Sequence, residues 1–353
     1  MLLAARPSAV KATTAQVSGP HPSNSLAEMV TSTIASVKAH LLLASIPPQH
    51  GRGHRSRAGR PHAAGLCSAA GLQRRAWRAR LARALAENRF ILHYQPIISL
   101  RDGSTSHHEA LVRLADGRGG LLPPASFLPA AERCGLIRDI DRVVLAKVAA
   151  LMGEQGDDRT LSVAVNLSGL SVTDPGLLAY IERQLALHDV DPARLVIELT
   201  ETASISDMSR AKAFCTGVQA LGAAVALDDF GTGFGSFHYL KRLPFSYLKI
   251  DGEFISSLPV SPSDQLVVQA LVGVVRGMGA STIAEFVSDQ PTIGLLRAYG
   301  VDYAQGFAVG APRAAPMPAA HLSGGRLLPS WAAGASTAAA GTACAWPRPK
   351  RDR

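Results

Sequence analysis

Apolar residues fall into two kinds of pattern along this chain. In RRAWRARLARALAENRF, Trp77, Leu81 and Leu85 recur at i, i+4 and i+8, which predicts an amphipathic helix. Further on, short runs such as LSVAVNL (161–167), LVIELT (195–200), AAVALDD (223–229) and YLKI (247–250) are apolar without alternation. Strands of that kind are buried on both faces, as in a parallel sheet. Helical segments over 174–188, 207–221, 263–278 and 290–299 alternate with such strands, and a helical-looking stretch covers 236–242. Two earlier strands, 90–100 and 106–114, flank an Asp102-Gly103 turn, and helices follow over 124–134 and 136–151. STIAEFV (281–287) and DYAQGF (302–307) bring the strand count to eight. The pattern predicts a modified (β/α)8 TIM-like barrel. The tight turn between the first two strands makes one of them antiparallel.

Periodicity is lost at both ends. Residues 1–72 are rich in Ala, Ser, Arg, Gly and Pro, with at most a weak helix over 26–46, and 315–353 is Ala/Gly/Pro-rich and ends RPKRDR. Both are expected to be disordered tails flanking a barrel domain at 73–314. The net charge of +9 invites a nucleic-acid reading, but its distribution opposes one. Residues 1–80 hold 11 Lys and Arg against one acid, and 321–353 hold five against one, which leaves 20 basic and 25 acidic residues for 81–320. The barrel is therefore acidic, and no DNA or RNA polymer is expected as a partner. The four cysteines form no CxxC pair and no zinc spacing, which fits a reducing compartment. No run approaches the roughly 20 apolar residues of a membrane span. A cytoplasmic protein is the expectation.

Barrel active sites lie at the C-terminal ends of the strands. The polar residues there are Glu109, Arg113, Asn166, Glu198, Glu201, Asp228, Asp229, Lys249, Glu285 and Gln305. Asp228 and Asp229 alone also fit a helix cap followed by a turn. Six acids on one rim are different, because they cannot all ionise in a small space without cations. A donor set of oxygens favours Mg²⁺ or Mn²⁺ over zinc. Two such ions, bridged by a carboxylate and roughly 3.5–4 Å apart, clamp a phosphodiester during displacement. Arg113 and Lys249 could hold phosphate oxygens or the attacking water.

These residues also carry a resemblance. Glu109-Ala110-Leu111-Val112-Arg113, YQPI (94–97), VNLS (165–168), ELTE (198–201), DDFGTG (228–233), LKID (248–251), AEFV (284–287) and QGF (305–307) occur in the order found in EAL-domain cyclic-di-GMP phosphodiesterases. The chain resembles that family over about 80–314. The resemblance implies a barrel with an antiparallel first strand and hydrolysis of cyclic-di-GMP to linear pGpG by a metal-activated water. It implies one metal on Glu109, Asn166, Glu198 and Asp228, and a second on Asp228 and Asp229. Glu285 would be a ligand or general base, and Lys249 would orient the water. Gln95, Arg113 and Gln305 would contact substrate. Glu201 would brace the glycine-rich loop at 230–236, near a homodimer contact. The chain departs from the family pattern at Ser288 and Ser246, where acids are usual, and in the loop sequence GFGSFHYL.

Overall fold

The computed structural model describes residues 69–154, 161–200, 207–231 and 240–316. The expected disordered tails fall mostly outside this range, as does most of the stretch at 236–242. The strands are β1 (Phe90–Ser99), β2 (Thr105–Ala115), β3 (Leu121–Leu122), β4 (Val163–Leu167), β5 (Leu195–Thr200), β6 (Ala224–Phe230), β7 (Tyr247–Ile250), β8 (Ser281–Ala284) and β9 (Tyr303–Gln305). They form one sheet in the order β1-β9-β8-β7-β6-β5-β4-β2-β3, and β1 also pairs with β2. That last pairing closes eight strands into a barrel and leaves β3 outside, on the edge of β2. β1 runs antiparallel to both of its neighbours, and the other barrel pairings are parallel. The expected modified barrel with one antiparallel strand is what the chain adopts.

Closure explains why the strands show no polar alternation. Inward-facing Ala164, Val196 and Ala226 pack on one another, with Tyr247 against them. Outward-facing Val165, Ile197, Val225 and Leu248 belong to a second, larger core shared with the helices. Each strand is thus apolar on both faces, except at its C-terminal end. The helix Ile137–Glu154 lays Ile137, Ile140, Val144 and Val148 against this outer core. The helix Gln290–Tyr299 starts with Asp289 accepting from the Thr292 N–H and stops at Gly300, whose φ of 77° suits a left-handed cap.

Several boundaries differ from expectation for local reasons. The helix expected over 174–188 runs Leu177–Leu187, and a separate single turn, Gly169–Val172, capped by Ser168, precedes it. The strand expected over 281–287 ends at Ala284, because Phe286 takes a φ of 53°. The last strand ends at Gln305, because Gly306 (φ 152°) lies against the Val287 backbone. The two-residue β3 and the short helix Gly252–Ser256, capped by Asp251, are too brief to show in periodicity. Among the described residues, no helix is long and apolar enough to cross a membrane.

Candidate active site

The carboxylates occupy the layer above the small apolar floor. On β2, Glu109 is opposite Gln95 of β1, and Asn166 of β4 is level with Glu198 of β5. β6 then needs two adjacent acids at one centre, which strict alternation forbids. The β6–β7 register slips between Leu227 and Phe230, and Asp229 has a φ of 55°. This irregularity lets Asp228, Asp229 and Glu285 each bring a carboxylate oxygen within 4.8 Å of the others.

Lys249 stands at the hub. Its Nζ lies 2.9 Å from Glu198 Oε2, 2.9 Å from Glu285 Oε1, 3.1 Å from Asp228 Oδ1 and 3.6 Å from Glu109 Oε2. The side chain is 1% exposed. Asn166 donates to Glu109 Oε1. Gln305 Nε2 donates to Glu109 Oε2 at 2.6 Å and to Gln95 Oε1 at 3.3 Å, and Gln95 Nε2 donates to the Gly310 carbonyl. Glu109 is therefore fixed from three sides.

One ammonium cannot neutralise four buried carboxylates. Burial works against the charge of Lys249, but Asp228, Glu109, Glu198 and Glu285 together hold its pKa well above the usual lysine range. Burial pushes the Glu285 carboxyl up to about 8, against the opposing pull of Lys249. Burial, reinforced by Glu109 and Asp228, raises Glu198 well above the usual range. Burial and then Asp228 raise Asp229 to about 6. Burial also opposes the charge of Glu109, but Lys249 and the hydrogen bonds from Gln305 and Asn166 hold it below the usual range. The cluster titrates as a unit with surplus negative charge.

That surplus is what a divalent cation relieves. The donors are all oxygens, the set that suits Mg²⁺ or Mn²⁺. Glu198 Oε1 is buried without a hydrogen-bond partner among the described residues, so one ligand position is open. The residues present fit a metal. A pocket of about 620 Å³ reaches this layer and is lined by Glu109, Asn166, Asp228 and Asp229 as well as Pro124 and Leu128.

The remaining candidates stand apart. Arg113 is half-buried and donates to its neighbour's carbonyl, Val112, at 2.9 Å; among the described residues no hydrogen bond or ion pair joins it to the cluster. Glu201 lies outside the described residues, as do 232–236 of the glycine-rich loop at 230–236 expected near the dimer contact. Ser288 is exposed and donates to Asp289, away from the cluster. Ser246 lies between strands, its N–H on the Val225 carbonyl.

Two supports escaped the sequence reading. Asp141 is buried on the apolar stripe of the helix Ile137–Glu154, and its Oδ2 accepts from the Ser168 N–H (3.0 Å), Ser168 Oγ (2.8 Å) and Ser171 Oγ (2.6 Å). It pins the turn that follows Asn166. The signal available was a lone acid at a core position. Beneath the carboxylates, His107 packs against Tyr247 and Tyr303, with ring centroids 5.4 and 6.3 Å away. Burial, then Lys249 and His108, lower the His107 pKa to about 3, so the floor is neutral.

Known proteins are similar to this chain in sequence and fold. Residues 78–312 match the model of the EAL domain. The chain is 39% identical over 241 residues to the cyclic di-GMP phosphodiesterase PdeB of Shewanella oneidensis, covering 67% of this chain and 28% of that protein. It is 36% identical over 244 residues to the bifunctional diguanylate cyclase/cyclic di-GMP phosphodiesterase MucR of Pseudomonas aeruginosa, covering 69% and 35%. The chain thus spans about a third of the length of these relatives. Among solved structures it is similar to the PaMucR phosphodiesterase in complex with c-di-GMP (34% identity, TM-score 0.63, 67% of this chain and 97% of that one). It is also similar to the Xanthomonas citri FimX EAL domain in complex with c-diGMP (29% identity, TM-score 0.64, 69% and 96%). With the barrel, the acid-rich rim and these matches together, the chain belongs to the EAL-domain family.

Proposed function

We propose that this chain is an active, metal-dependent cyclic-di-GMP phosphodiesterase producing linear pGpG in the cytoplasm, and that it works as a homodimer. The observation that carries the reading is the convergence of Glu109, Glu198, Asp228 and Glu285 on Lys249, with Asn166 on Glu109 and Asp229 at the rim. A degenerate domain would be expected to lack several of these groups.

Glu109, Asn166, Glu198 and Asp228 would hold one Mg²⁺ or Mn²⁺, and Asp228 with Asp229 a second. When bound, such ions polarise a phosphodiester and lower the pKa of water. Glu285 in its ionised form accepts a proton from the attacking water, and the burial that lifts its pKa to about 8 makes that carboxylate a stronger base. Lys249 Nζ orients that water and balances charge as the water oxygen adds to phosphorus. One phosphorus–oxygen bond of the ring breaks, the leaving oxygen takes a proton from solvent, and Glu285 returns its own proton to solvent. Arg113 and Gln95 contact the substrate. Gln305, expected from the resemblance to do the same, is placed to brace Glu109. Glu201 would support the loop at 230–236.

The test is incubation of purified protein with cyclic-di-GMP and Mg²⁺ or Mn²⁺, followed by chromatography. Linear pGpG that vanishes on adding EDTA is the expected result. Nucleotide binding without product in either metal would overturn catalysis and favour a receptor.

A further inference from the structure

A second concave surface lies outside the acidic centre. It is a groove of about 630 Å³ between the helix Ala69–Ala86 and the turn after β2. Arg80, Arg83, Arg89 and Arg118 surround it, and Asp116 is the one acid in its wall. Ala76 and Ala79 form the helix side, so short side chains leave room between long cations. β2 carries Glu109 and runs on to Ala115, which puts the groove on the same end of the barrel as the carboxylates.

The charges here are not balanced. Asp116 is already engaged: its Oδ1 accepts from the N–H groups of Arg118 (2.7 Å) and Gly120 (2.9 Å), which hold its carboxyl below the usual range. Arg89 is paired with Glu87 at 2.8 Å and donates to the Ala115 carbonyl at 3.2 Å, so one guanidinium is held in place. Arg80, Arg83 and Arg118 make no ion pair among the described residues. Four arginines against Glu87 and Asp116 leave a net charge of +2 around the groove. Like charges gathered around a cavity repel, and an anion removes the repulsion. Guanidinium forks match phosphate oxygens in pairs, which a carboxylate-sized ligand cannot exploit from several directions at once.

We propose that this groove binds a phosphate-bearing anion of pyrophosphate type, at a site separate from the metal centre. The site does not depend on the reading of the acidic cluster, because its ligand contacts are cations and need no metal.

The probe is inorganic pyrophosphate, titrated by calorimetry into the full chain in EDTA at about 50 mM salt. Saturable binding is expected, weakened about tenfold or more in the Arg83→Gln/Arg118→Gln double variant and unchanged in Asp228→Asn. The double variant should melt like the parent, since neither side chain is buried. Trp77, with the Arg80 guanidinium 5.0 Å from its ring centroid, gives a second readout. In a Trp331→Phe/Trp346→Phe background its fluorescence should change with the same midpoint. No saturable binding, equal binding by the double variant, or loss of binding in Asp228→Asn would each overturn the proposal.

Discussion

At the scale of single residues, the site is defined by an excess of carboxylate over ammonium. Lys249 touches four acids, and removing it leaves them facing one another in a buried layer. Breaking a buried ion pair by deleting one partner typically costs about 3–5 kcal/mol. Lys249→Met should therefore lower metal-free stability by about that amount in a denaturant titration. Mn²⁺ should restore a larger fraction of the loss than it adds to the parent, because it replaces the missing positive charge. Equal metal effects on parent and variant would show that the lysine and the metal serve different acids. Asp228 is the one acid assigned to both metals. Asp228→Asn should cut turnover by roughly a thousandfold or more, the scale of losing a preorganised charge-stabilising group, and abolish stabilisation by Mn²⁺. Activity surviving at the parental level would overturn the two-metal assignment.

Elements matter here through their ends. The irregularity in β6 turns two consecutive acids toward one centre, and the left-handed Phe286 ends β8 just after Glu285. Neither device works unless the neighbouring backbone fits closely around it. Gly306 shows how closely. A Cβ there would lie 2.2 Å from the Val287 carbonyl oxygen, and the φ of 152° disfavours any side chain. Gly306→Ala should destabilise the protein by about 2 kcal/mol or more. It should also lower turnover, since Gln305 and Glu285 are held by the same two segments. A melting temperature within experimental error of the parent would show that the β8 and β9 ends can separate freely.

For the whole molecule, the acid cluster ties stability to pH. Glu285 at about 8 and Asp229 at about 6 are both held above the usual carboxylate range, chiefly by burial. In the metal-free protein the folded state therefore binds more protons than the unfolded state between about pH 4 and 8. Their contribution is fully present below the usual carboxylate pKa and is lost as pH rises through 6 and then 8. Glu109 is lowered and Lys249 is raised, so their dependences fall below and above this window. With Asp229 exposed, Glu285 dominates, and the EDTA-treated protein should melt roughly 6–16 °C lower at pH 8 than at pH 5, equivalent to about 3–4 kcal/mol. Saturating Mn²⁺ should flatten or reverse that slope, because cations favour the ionised acids. A metal-free melting temperature that rises across the window would contradict the burial of Glu285.

How much of this was legible beforehand follows from what is local in a chain. Strand positions, the barrel with its antiparallel first strand and the acids at the strand ends are encoded by periodicity and by turns such as Asp102-Gly103. These depend on neighbours a few residues apart. The motifs from Glu109 to Gln305 named the family for the same reason. Other features arise only on closure. Gln305 reaches Glu109 across 196 residues of chain, and Lys249 reaches Glu198 across 51. The irregularity at Asp228-Asp229 is set by the register of β7, and the Asp141 clamp by a turn 27 residues away. The arginine groove joins a helix to a turn that shares no pattern with it. The sequence by itself determined which groups the protein possesses and on which strands they ride. The tertiary structure decided which of them share one low-dielectric space, because charge balance and pKa depend on distance and burial, not on order along the chain.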